Sequence, residues 1–213
     1  MKIDFRTVGP FVENSYLVVD DQAGRAVFID PGDEPDELIA MAEESGATIE
    51  AIWLTHAHLD HVGGIVGVRR KWPVPVFMHP RDSVVFEKAD QVAHMYGLAF
   101  EKPEPPDIDL AEGQQLTVGS LRFEVLHTPG HAPGHCVFIG EGVMMGGDLL
   151  FAGSVGRTDL PYSDHDAMHA SLERLSTLDP NLIVWPGHGP ETTIGRELET
   201  NPFLTGVGRP TRR

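Results

Sequence analysis

The chain has 213 residues, 41% of them apolar, and sets 16 basic against 32 acidic side chains, a formal net charge of −16. That length buries a core on both sides of a sheet and predicts one domain over residues 1–205, with a flexible basic tail at 206–213. The charge excludes a nucleic-acid backbone as the expected partner, because Arg69-Arg-Lys71 is too short to neutralise a run of phosphates, and a single cysteine, Cys136, excludes an internal disulfide.

In chain order, the N-terminus lacks the apolar core of a signal peptide and no stretch approaches membrane-spanning length, so the expected location is the cytoplasm, with no membrane partner. Lys2 to Val8, Asn14 to Asp20 and Arg25 to Asp30 read as strands separated by turn signals. Asp33 is placed to cap a helix with Pro35 in its first turn, acidic residues at the positive end of its dipole and Gly46 as its stop. The apolar run Ala51 to Leu54 reads as a short buried strand. It leads directly into Thr55-His-Ala-His-Leu-Asp-His61, with a helix expected to start near His61.

His56, His58, Asp60 and His61 thus fall on a strand-to-helix turn that can aim alternate side chains at one point. Histidine nitrogen and carboxylate oxygen are common ligands of catalytic metals. Residues 86 to 110 are the least regular part of the chain. Lys102-Pro-Glu-Pro-Pro-Asp107 excludes a regular helix or central strand, and the segment is expected to be a plain surface insertion rather than a cover for the site.

Three further candidate ligands follow short apolar runs that end in glycine-marked loops: His131 in Thr128-Pro-Gly-His131, Asp148 after Val143-Met-Met-Gly-Gly147, and His188 in Trp185-Pro-Gly-His-Gly189. One design repeated at four strand ends suggests that a single sheet edge carries the site. Seven such groups exceed the need of one ion, so two divalent ions are expected. His135 has two open readings, a residue that orients a ligand by hydrogen bond or a core histidine with a backbone partner. Cys136, in an apolar run, reads as a buried structural thiol. A helix is expected from Asp164 to Leu178, with Met168, Leu172, Leu175 and Leu178 on one face and Asp179-Pro180 breaking it; His165 and His169 read as exposed positions on it.

These motifs resemble the metallo-β-lactamase superfamily and, within it, the small bacterial glyoxalase II-like hydrolases of S-lactoylglutathione. The likeness runs from Gly9-Pro-Phe-Val-Glu-Asn-Ser-Tyr16 through Asp30-Pro-Gly32 and the metal motifs to Asn201-Pro-Phe203; Gly147-Asp-Leu-Leu-Phe-Ala-Gly-Ser-Val-Gly-Arg-Thr-Asp159 and Pro186-Gly-His-Gly-Pro-Glu-Thr-Thr-Ile194 narrow it to that subgroup. The resemblance implies an α/β fold, a four-layer αββα sandwich of two mixed β-sheets with outer helices. It also implies that His56, His58 and His131 hold one ion, Asp60, His61 and His188 a second, and that Asp148 bridges them. Zinc is the expected metal, although such ligands also accept iron and manganese.

The implied reaction is hydrolysis of a small-molecule acyl thioester by a hydroxide shared between the ions, with Asp60 holding the hydroxide and a thiolate leaving readily. At the substrate end the pattern departs from the larger glyoxalase II enzymes. Arg157 stands where they have a lysine, Asp159 where they have a tyrosine, and their C-terminal helical domain has no counterpart. Arg157 is the candidate for binding an anionic end of the substrate, and an ion pair with Asp159 is its alternative role. Gly156-Arg-Thr-Asp159 also resembles persulfide dioxygenases, which hold a single iron. Lactonases, β-lactamase-like enzymes and nucleases share the superfamily's site.

Overall fold

Side-chain alternation along the strands dictates how the layers stack. In the computed structural model, which describes residues 1–206, the strands β1 (Lys2–Val8), β2 (Glu13–Asp20), β3 (Arg25–Ile29), β4 (Thr48–Trp53), β5 (Val76–Met78) and β6 (Ile108–Asp109) lie side by side in that order. The first three are antiparallel and β3 to β6 are parallel. The second sheet starts with β7 (Gln115–Val118), β8 (Leu121–His127), β9 (Cys136–Gly140) and β10 (Val143–Gly147), all antiparallel. After a separate hairpin of β11 (Leu150–Phe151) and β12 (Ser154–Val155), the chain returns as β13 (Ile183–Pro186), parallel to β10, with β14 (Thr192–Thr193) at the edge. Both sheets are therefore mixed.

Each sheet has two apolar faces, which produces three cores. Leu17, Val19, Ala26, Phe28 and Ile52 point outward onto α1 (Pro35–Ser45), α2 (Leu59–Val62) and α3 (Ile65–Lys71), meeting Leu38, Met41, Val62, Ile65 and Val68. Their neighbours Tyr16, Val18, Val27, Ile29 and Trp53 point inward and meet Phe123, Val125, Phe138 and Met145 of the second sheet. The outer face of that sheet, with Val137, Met144 and Val184, packs on Met168, Leu172 and Leu175 of α6 (His165–Leu175) and Ile194 of α7 (Ile194–Thr200). The result is the expected αββα sandwich.

Local boundaries differ from the sequence reading where tertiary contacts intervene. Asp33 does not cap α1: Glu34 is its N-cap, in a left-handed conformation with no side-chain cap bond, while Asp33 accepts the Glu34 N–H. The helix after the histidine motif begins at Leu59, two residues before His61, with His58 as its N-cap. Asp164 does cap α6, accepting the Ala167 N–H, but the helix stops at Leu175, three residues before Leu178. Cys136 is fully buried in β9. The expected tail lies outside the described residues except for residue 206. Among the described residues no helix is long and apolar enough to cross a membrane.

Residues 86 to 110 are not a plain surface insertion. The stretch begins at the last residue of α4 (Ser83–Phe86) and forms α5 (Ala89–Tyr96), and Tyr96 meets Phe11 edge to face at 5.3 Å. Leu98 and Phe100 then line a cavity of about 260 Å³ together with Phe11, Leu59 and Asp60. Its apolar residues are used against the β1–β2 turn and α2, which brings the segment beside one of the candidate ligands.

Trp53 is the largest fully buried side chain, 1% exposed and set against Phe123 at 5.8 Å and Phe138 at 5.5 Å, so it joins the two sheets three residues before His56. Trp53→Ala should lower the unfolding free energy by about 3–5 kcal/mol, as expected for emptying a large aromatic site in a close-packed core. Urea denaturation followed by circular dichroism checks this; a loss under about 1 kcal/mol would contradict the packing role.

Candidate metal centre

The seven candidate ligands meet at one end of the sandwich, but not on one sheet edge. His56, His58, Asp60 and His61 follow β4 of the first sheet, whereas His131, Asp148 and His188 follow β8, β10 and β13 of the second. The expectation of a single edge fails because the strand ends of both sheets converge. Polar bonds stitch them there. The Asn14 N–H donates to Gly187 O at 2.7 Å, the Asn14 amide donates to Pro186 O and Gly189 O, the Tyr16 hydroxyl donates to Pro186 O at 2.6 Å, and the Cys136 N–H donates to Thr55 O.

Two groups of three form. His56, His58 and His131 can each turn a nitrogen to within 4.8 Å of the others, and Asp60, His61 and His188 do the same with ligand atoms of their own. Asp148 lies between the groups: its Oδ2 is 3.4 Å from His131 Nε2 and 3.5 Å from His188 Nε2, and its Oδ1 is 3.5 Å from His61 Nε2. His56 Nε2, His61 Nε2 and Asp148 Oδ1 are buried without a hydrogen-bond partner. Stranding three such atoms in one spot is costly unless a cation fills the space between them, and nitrogen with carboxylate oxygen is the right donor set for one.

The far side of four of the five rings is held. His61 Nδ1 lies 3.0 Å from Asp30 Oδ2, and Asp30 also accepts the Thr55 N–H and hydroxyl. Asp30 could join a third group with His56 and His61, but these bonds already occupy its oxygens. Thr55 Oγ1 sits 3.1 Å from His56 Nδ1. His131 Nδ1 donates to the Arg157 carbonyl at 2.8 Å, and His188 Nδ1 to the Val12 carbonyl at 3.2 Å. Such partners fix the tautomer and aim Nε2 inward. His58 differs: its Nδ1 is 2.8 Å from His131 Nε2, so Nδ1 is the nitrogen it turns toward that group.

Electrostatics divides the two groups. Burial, reinforced by neighbouring histidines, holds His56 well below the usual imidazole range and brings His58 down to about 3; His131 is lowered by burial against the pull of Asp148. The neutral imidazole is the ligand form. Burial opposes the charges of His61 and His188 as well, but Asp60 and Asp148 outweigh it and raise both. Burial likewise works against the Asp60 carboxylate, yet His61 and His188 hold its pKa well below the ordinary range. The second group is thus an ion-pair network poised around one carboxylate.

The contacts of His135 fit either of its sequence readings. It is fully buried, its Nε2 accepts the Asp148 N–H at 3.0 Å, and its Nδ1 pairs with Thr128 Oγ1 at 2.9 Å. It therefore has a backbone partner, and that backbone belongs to Asp148. Arg157 is arranged differently from the expected anion binder. Its guanidinium is two-thirds exposed and bonds both oxygens of Asp159, at 2.9 and 3.0 Å, while its carbonyl serves His131. His165 is exposed, and His169 is partly exposed beside Glu173.

Sequence reasoning missed Asp82 and Glu13. Asp82 is fully buried and accepts the N–H groups of Ala57, between His56 and His58, and of Gly134, next to His135; burial pushes it up to about 6 although both bonds favour the carboxylate. No local signal marks it. Glu13 sits in the N-terminal motif and is fully buried, 3.8 Å from His61 Nδ1, with Oε1 unpartnered. Its Oε2 is 2.8 Å from Ser15 Oγ, which accepts the Gly32 N–H and lies 2.7 Å from Asp30 O. One hydroxyl proton cannot serve two acceptors fully. A neutral Glu13 resolves the count by donating its own proton, and burial pushes its carboxyl that way against the attraction of His61.

A family model described as the metallo-beta-lactamase superfamily matches residues 8–188. The hydroxyacylglutathione hydrolase GloC of Haemophilus influenzae is 38% identical over 209 residues, covering 96% of this chain and 98% of its own length. Two solved structures superpose with a TM-score of 0.88: the di-iron-bound form of TTHA1623, 48% identical, covering 94% of this chain and all of its own, and the BLEG-1 B3 metallo-beta-lactamase, 37% identical, covering 96% and all of its own.

The protonation of Glu13 has a signature in stability. A carboxyl whose folded pKa exceeds its unfolded value stabilises the fold below the unfolded value and loses that contribution as pH rises through the folded one. In metal-free protein, Glu13→Gln should therefore gain stability relative to wild type as pH rises above the carboxylate range, by at most about 1.4 kcal/mol per pH unit. Urea titrations from pH 5 to 8 check this, and a gap that stays constant or closes with pH contradicts a neutral Glu13.

Proposed function

Because the chain belongs to the metallo-beta-lactamase superfamily, we propose that it is a two-metal hydrolase of small acyl thioesters such as S-lactoylglutathione. The observation that carries the reading is the pair of three-residue groups with Asp148 between them. His56, His58 and His131 would hold one ion, Asp60, His61 and His188 the other, and Asp148 would touch both. Zinc is the proposed metal, and iron is the alternative that the di-iron relative supports. Two such ions lower the pKa of a shared water toward neutrality and polarise a carbonyl oxygen.

The chain's own part is to orient and to move a proton. Asp60, whose carboxylate lies 3.3 Å from His188 Nε2, would hold the second ion with His61 and His188, orient the attacking water and take up its proton. Neutral His56, His58 and His131 keep their lone pairs free for the first ion. The departing thiolate is stable at neutral pH, so no acid is needed on the leaving side. The single-iron persulfide dioxygenase reading would leave Asp60, His61 and His188 converging without a task. Hydrolysis of β-lactams is a second reading, favoured by the likeness to BLEG-1.

For substrate recognition, the proposal is that an anionic end of the thioester exchanges with Asp159 for the fork of Arg157. The exposed, already paired guanidinium makes the gain small, about 1 kcal/mol.

Four measurements test the reading. Metal analysis of natively purified protein should find two ions per chain, and one or none would defeat it. Asp60→Ala should reduce turnover of S-lactoylglutathione by at least about 100-fold with the fold intact; near-native turnover with both ions bound would remove Asp60 from the chemistry. Arg157→Ala should raise KM for S-lactoylglutathione about five-fold and spare an uncharged thioester. Equal losses on both substrates would instead make the Arg157 pair a loop brace. A wild type that opens nitrocefin but no thioester would move the assignment to the second reading.

A further inference from the structure

Among the buried carboxylates that the mechanism leaves unused is Glu197. Glu197 of α7 is fully buried, although glutamate is almost never so deeply buried without partners. Its partners are neutral donors: the Thr192 hydroxyl donates to Oε1 at 2.6 Å, while the Gly153 N–H at 2.8 Å and the Asn201 amide at 2.9 Å donate to Oε2. Asn201, also fully buried, uses the same amide nitrogen to reach Ser154 O at 3.0 Å and Phe151 O at 3.4 Å. Glu197 and Asn201 therefore grip the hairpin of β11 and β12 from below.

That hairpin is the piece of chain between Asp148 and Arg157, and its upper side touches candidate ligands from both groups. Asp148 enters it. Gly156 leaves it so close to Asp148 that a Cβ there would fall 1.9 Å from the Asp148 carbonyl and 3.2 Å from His131 Cβ. The next carbonyl, that of Arg157, accepts the His131 Nδ1 proton. The Phe151 ring stands edge-on to His188 at 6.0 Å. Thr192, the third point of the grip, lies four residues beyond His188.

We propose that Glu197 is a positioning residue for the metal centre: through Gly153, Asn201 and Thr192 it clamps the hairpin that aims His131, Asp148 and His188. It touches neither substrate nor ion and acts only through the groups it holds. The inference rests on the two-ion reading of the cluster. Shape rather than charge does the clamping, because the oxygen of a glutamine can still accept from Gly153 and Asn201 while Thr192 accepts from its amide.

Cobalt(II) titration of the metal-free protein, read by d–d absorption, tests this alongside the melting temperature of the metal-free protein. Glu197→Ala should stay folded, bind cobalt at least about ten-fold more weakly and show an altered d–d spectrum. Its kcat should fall with KM unchanged, and Glu197→Gln should restore affinity and spectrum. A folded Glu197→Ala with wild-type affinity and spectrum would overturn the clamp, as would a Glu197→Gln no better than alanine. If Glu197→Ala does not fold, Asn201→Ala, which removes the amide ties to the hairpin, is read by the same criteria. A wild type that takes up fewer than two cobalt ions overturns the two-ion reading; two ions in the wild type with unchanged affinity in the variants overturn the clamp alone.

Discussion

The buried, unpartnered His56 Nε2, His61 Nε2 and Asp148 Oδ1 set the terms for the rest of the molecule. A backbone can bring imidazoles this close, with the His56 and His61 rings 4.0 Å apart, only if something else forbids their escape. The restraint comes from two sheets that end at the same place. The first supplies four of the candidate ligands and the second three, and Trp53 and the bonds from Asn14 and Tyr16 to the Pro186–Gly189 loop hold the two sets in register. Neither sheet alone carries a complete set of three histidines around one point.

Orientation comes from a ring of fixed acceptors outside the cluster. Asp30, Thr55 and the carbonyls of Val12 and Arg157 take up the outward nitrogens, so the inward nitrogens have no alternative partner. The loops carrying these acceptors are themselves tied down, by Asp82 on the His56 side and by Glu197 on the Asp148 side. Position is thus transmitted inward to the candidate ligands from groups that lie outside the candidate set.

This also explains what could be read from the sequence. The four-layer fold was legible through the resemblance that the motifs carry, and α6 through its regular apolar stripe; β2, buried on both faces, shows no alternation of its own. The seven candidate ligands were legible because four fall within six residues and the others sit in glycine-marked loops, where side-chain identity carries the message. Main-chain acceptors were not legible, since any residue at position 12 or 157 offers the same carbonyl. Asp82 was hidden by a separation of 25 residues from Ala57, and Arg157 drew attention through its side chain when its carbonyl is the atom that meets the cluster. The segment from 86 to 110 was misjudged because proline content predicts irregularity and says nothing about what an irregular segment packs against.

Backbone strain is distributed unevenly over the centre. Val12 and Asp30 are non-glycine residues at positive φ, 60° and 50°, and for β-branched Val12 this is a genuine outlier. Each conformation costs on the order of 1–3 kcal/mol and persists only where the surroundings over-determine it. Both residues serve the same group: the Val12 carbonyl holds His188 and the Asp30 carboxylate holds His61. His56 and His131 are held by Thr55 and Arg157, neither of which is at positive φ. The strained half is also the half with opposing charges, where Asp60 and Asp148 raise His61 and His188. Strained non-glycine backbone and ion pairing thus coincide around Asp60, while the histidine-only group is held by Thr55 and Arg157 without such strain.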